Sequence, residues 1–138
     1  MGFRKAGFVC AALAWLAVSG GPGLAEGANP CADATTTIAM RECLDKAYTS
    51  ADAALNAVWK QVMAHVSDAD HMPAKERKVW KDELLESQRA WIQFKEHDCD
   101  AVGFEWWGGS GAGGAISSCL LGHTQARTAD LKSRYLDL

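Results

Sequence analysis

From Met40 to Val66 the apolar residues Met40, Leu44, Ala47, Ala51, Leu55, Val58, Val62 and Val66 are separated by steps of 4, 3, 4, 4, 3, 4 and 4. Only an α-helix puts such positions on one face, so the segment must form a long amphipathic helix with a single apolar seam. Thr35, Thr36 and Thr37 supply hydroxyls for its N-cap. The pattern breaks at Ser67-Asp68-Ala69-Asp70-His71, and Pro73 then opens a second helix, where its missing N–H costs nothing. That helix carries Trp80, Leu84, Ser87, Trp91, Phe94 and Asp98 on one face and is predicted to run to about Val102. The glycine-rich stretch Gly108 to Gly114 is predicted as a long loop. A third helix from about Ala115 carries Ile116, Cys119, Leu120, His123, Leu131 and Tyr135. No segment alternates with period two. The predicted fold is therefore all-α: an antiparallel helical hairpin plus a third helix, an up-down-up bundle.

The first 25 residues read differently. Arg4 and Lys5 precede an apolar run from Ala6 to Val18, followed by Gly20-Gly21-Pro22 and a small-residue ending at Gly23-Leu24-Ala25. This is the pattern of a cleavable secretory signal, too short to span a bilayer. Residues 26–138 then form one domain, long enough to bury a core of its own. Losing Arg4 and Lys5 leaves 12 basic against 17 acidic residues, a net charge of −5. An acidic chain without a basic cluster is expected to bind neither nucleic acid nor anionic lipid. Neither Cys10 nor Cys31 follows a Leu-small-small sequence, so no lipid or other membrane anchor is expected.

Four cysteines remain in the mature region, Cys31, Cys43, Cys99 and Cys119. An even number in an exported chain points to two disulfides and a periplasmic or secreted location. No pair has the close spacing of a zinc knuckle, so no metal site is expected. In an up-down-up bundle all four cluster at one end, and proximity alone leaves three connectivities open. Cys31–Cys43 and Cys99–Cys119 are favoured because each closes a short loop, stapling the bundle at that end.

Register arithmetic on the helices places Asp52, Gln88, Arg89, Trp91 and Arg127 at one height, a polar girdle midway down the bundle. It also sets Trp59 against Trp80. The girdle is either a small-ligand pocket or a structural device, in which Asp52 neutralises an inward arginine and Trp91 covers another. The structural reading is preferred, because buried polar groups are normally satisfied. Glu105-Trp106-Trp107, followed by Ser110 among glycines, is the candidate interaction site. Two adjacent indoles cannot both enter one helix seam, so at least one is expected near solvent, where it either binds a partner or folds over the bundle end.

No catalytic set emerges. Gly109-Ser110-Gly111 lacks the spacing of a nucleophile elbow, and His97, Asp98 and Asp100 lack a second histidine spaced to join them. The chain is expected to be no enzyme and to use no cofactor.

The fragments Asp52-x-x-Leu55-Asn56-x-x-Trp59, Gln88-Arg89-Ala90-Trp91-Ile92-x-Phe94, Asp98-Cys99, Gly109-Ser110, Cys119 and Thr124-x-x-Arg127-x-x-x-Leu131 resemble, in order and spacing, the LprI-like family. These are small exported bacterial domains named for a lysozyme inhibitor, and the resemblance runs from about Cys31 to Leu131. It implies an all-helical, disulfide-linked domain that binds lysozyme or another basic cell-wall hydrolase. Joined to the residue reading, it suggests occlusion of the lysozyme cleft by the loop Glu105 to Gly114. The alternative is a periplasmic envelope module that binds peptidoglycan fragments or another envelope protein without inhibition.

Overall fold

The computed structural model describes residues 30–137. The proposed signal at 1–25 lies outside the described residues. Three helices make up the domain: α1 (Thr37–Ser67), α2 (Ala74–Phe104) and α3 (Ala112–Tyr135), and no strand occurs among the described residues. Thr36 caps α1 by accepting the Ala39 N–H at 3.1 Å, as the threonine run requires. The turn into α2 is fixed from the side: Arg77 donates to the carbonyls of Met72 at 2.5 Å and Ala69 at 3.2 Å.

The seam read from the sequence is the core. Leu55, Val58, Val62 and Val66 of α1, Leu84 of α2 and Leu131 of α3 are buried together, flanked by Trp59, Met63, Trp80, Trp91, Tyr135 and Leu136. Each such aliphatic side chain contributes about 1.5–3 kcal/mol on burial. A smaller cluster of Cys31, Leu44 and Leu121 closes the opposite end.

The helices do not share their surfaces evenly. α3 packs along both others, most extensively on α1, while α1 and α2 touch over a short stretch only. The expected α1–α2 register is accordingly displaced by about one turn. Trp80 meets His65 edge-on at 6.1 Å and Tyr135 at 6.3 Å, rather than facing Trp59. The α2–α3 register is the expected one, because a covalent bond sets it. Cys99–Cys119 joins α2 to α3 with Cα atoms 5.5 Å apart, and Cys31–Cys43 ties the N-terminal arm to α1 at 5.9 Å. Both favoured pairings are present, at one end of the bundle. No helix among the described residues is long and apolar enough to cross a membrane.

Candidate functional site

The girdle residues separate. Trp91, Gln88 and Arg127 meet as the α2–α3 register requires: Arg127 Nε donates to Gln88 Oε1 at 3.1 Å, and its guanidinium lies 5.9 Å from the Trp91 ring centre. Arg127 is neutralised by Asp130 of its own helix at 3.3 Å, with its side chain only 14% exposed. Asp52 is not its partner. Its carboxylate accepts instead from Asn56 Nδ2, one turn along α1, at 3.0 Å, a consequence of the displaced α1–α2 register. Arg89 points to solvent and pairs with Glu86. The inward cation that the sequence did not reveal is Lys95, 4% exposed. It donates to Tyr48 Oη at 3.0 Å and lies 5.0 Å from the Trp91 ring centre. Trp91 thus carries a lysine and an arginine, and both cations are engaged by a hydrogen bond as well as by the ring.

The end carrying Glu105, Trp106 and Trp107 is built differently. Beyond Phe104 the chain continues in tight turns, each closed by a backbone bond: Trp106 N–H to Gly103 O at 3.2 Å, Trp107 N–H to Phe104 O at 3.1 Å, and Gly109 N–H to Trp106 O at 2.8 Å. Gly108 adopts φ 76°, the left-handed conformation glycine allows without strain. α3 then begins at Ala112, earlier than expected, because Gly113 and Gly114 occupy its first turn. There close packing repays their helical cost: a Cβ at Gly113 would lie 2.9 Å from the Arg41 side chain. The expected long loop is therefore a short hydrogen-bonded turn, Glu105–Gly111.

This turn holds its aromatics outward. Trp107 is 83% exposed, Phe104 66% and Trp106 52%. Phe104 and Trp107 stack with centroids 5.8 Å apart and planes inclined by 6°. Trp106 leans over Gly111, where a Cβ would come within 2.6 Å of its ring. It divides two grooves. One, of about 390 Å³, lies between Asp100, Phe104, Trp106, Trp107 and Ile116. The other, of about 440 Å³, runs past Ser110, Thr36, Met40 and Ala115. Glu105 and Ser110 are both exposed on the same turn. Phe104, which completes the aromatic platform, escaped the sequence reading because that reading ended the second helix at about Val102, whereas α2 runs to Phe104 itself.

Fold and site together define a disulfide-stapled three-helix domain that presents an aromatic surface at its stapled end. The chain belongs to the LprI family: the model described as lysozyme inhibitor LprI matches residues 28–131. It is also 33% identical over 125 residues to an uncharacterized protein of Rhizobium meliloti (strain 1021), covering 88% of this chain and 90% of that one. No solved structure matches it significantly.

Proposed function

We propose that this protein is an exported lysozyme-inhibitor-like binding protein, not an enzyme, and that it acts by inserting its Glu105–Gly111 turn into the saccharide cleft of a basic lysozyme. The observation that carries this reading is the solvent-facing stack of Trp107 on Phe104, beside a half-exposed Trp106, on a turn that is both hydrogen-bonded and disulfide-backed. Exposed indoles on a rigid support bury a large area at small entropic cost, and contiguous exposed apolar surface is characteristic of interaction sites. Glu105 and Asp100 border the aromatic surface, and the chain as a whole is acidic, so charge favours encounter with a basic partner. Family membership supports the same partner, and the two disulfides suit the periplasm or the exterior.

Binding kinetics against several lysozymes, with a cell-wall lysis assay, test the proposal. Association should slow between low and physiological salt, since exposed charges are screened over about 8 Å at 0.15 M. Trp107→Ala should leave association alone and speed dissociation by about tenfold or more, the loss of roughly 1.4 kcal/mol.

A second reading draws on the groove beside Asp100, where an indole face next to a carboxylate suits a sugar ring. On that reading the protein binds peptidoglycan fragments without inhibition, and soluble muropeptides bind at micromolar concentration while lysozyme activity is untouched.

A further inference from the structure

Behind the aromatic surface, the Cys99 and Cys119 sulfurs and a His123 ring nitrogen all lie within 4.8 Å of one another. Helix packing completes this group. Cys119 and His123 stand four residues apart on one face of α3, and the disulfide brings Cys99 across from α2. The histidine is already oriented. Its Nε2 lies 2.7 Å from Asp98 Oδ2, and the Phe94 ring packs edge-on against it at 5.4 Å. A carboxylate behind an imidazole is the usual outer partner of a metal-binding histidine, fixing its tautomer and leaving the other nitrogen free as ligand.

We propose that reduction of the Cys99–Cys119 disulfide converts this cluster into a binding site for a soft divalent cation of the Zn²⁺ class. A thiol reductant supplies two electrons and two protons. The S–S bond breaks, both sulfurs become thiols, and the reductant leaves as its own disulfide. Cation binding then releases the two thiol protons to solvent, giving two thiolates and one imidazole on the ion. In a tetrahedral site with Zn–S bonds of about 2.3 Å, two thiolates sit roughly 3.7 Å apart. Reduction frees the two sulfurs to take that spacing on either side of an ion, and a His123 ring nitrogen already lies within 4.8 Å of both. Water fills the fourth position. Cys99 is fully buried, whereas Cys119 is partly exposed, which makes Cys119 the sulfur a reductant reaches first. The site thus exchanges one staple between α2 and α3 for another.

Co²⁺ titration of the full chain under anaerobic conditions, before and after reduction by a phosphine, tests this. One Co²⁺ per reduced chain should bind with thiolate charge-transfer absorption and visible bands of tetrahedral intensity, and the oxidised chain should show neither. His123→Ala should weaken binding by at least tenfold. Cys31→Ser/Cys43→Ser, which removes the other pair, should leave it intact. Circular dichroism covers loss of structure: if reduction unfolds the helices, Zn²⁺ must restore them. Absence of the thiolate band, indifference to His123→Ala, loss of the band in the Cys31→Ser/Cys43→Ser chain, or a reduced unfolded chain that Zn²⁺ does not refold would each overturn the proposal.

Discussion

At one end of the bundle Trp80 and Tyr135 lie half-buried against the Leu55–Val66 seam, with His65 edge-on to the indole. At the other end Phe104 and Trp107 stack on each other and face solvent. Both ends bring aromatic rings together, edge-on or tilted at the first and parallel at the second, and the supports differ as well. Among the described residues no disulfide holds the first end, where the aromatics pack against the core. Two disulfides hold the second, and its aromatics are released from that duty. Covalent stapling at one end thus permits apolar side chains to be displayed there at little expense to the fold.

Substitutions should separate the two ends sharply. Leu131 is fully buried in the main cluster, so Leu131→Ala should cost about 3–5 kcal/mol in denaturant unfolding. Replacing Cys99 and Cys119 together by serine reopens a loop with a sequence separation of 20 and should cost about 3 kcal/mol. A cost near zero would mean that packing alone holds the stapled end. Tyr48→Phe removes the hydroxyl that accepts from Lys95 and should destabilise by about 1–3 kcal/mol, because no carboxylate lies within ion-pair distance of that buried ammonium among the described residues. Asp52→Ala should fall within about 0.5 kcal/mol of the parent and add to Arg127→Ala without coupling, since the two side chains do not meet. A double-mutant cycle with a coupling above about 1 kcal/mol would place them in contact after all.

The sequence is most legible where one helix reports on itself or a covalent bond reports on two. The 4-3-4 spacing from Met40 to Val66 located α1 and its buried face. The cysteine spacing located the staples, and through them the α2–α3 register that seats Arg127 over Trp91. The α1–α2 register was not legible, because no covalent bond sets it and α1 packs mainly on α3. That displacement cost Asp52 its expected role, and nothing in the sequence sets the buried Lys95 apart from the other lysines of α2. Gly113 and Gly114 read as loop, since only the approach of the Arg41 side chain reveals why a helix begins there. Trp106 and Trp107 were legible as candidates from adjacency alone, while Phe104 and the His123–Asp98 pair required the packed structure.

The central claim is that the stapled end displays aromatics for binding rather than stability, and Trp107→Ala measured in two ways tests it most directly. Thermal unfolding should be unchanged to within about 0.5 kcal/mol, while dissociation from a basic lysozyme should quicken by about tenfold or more. A variant that loses stability by more than about 2 kcal/mol, or one that binds and inhibits lysozyme as tightly as the parent, would contradict it.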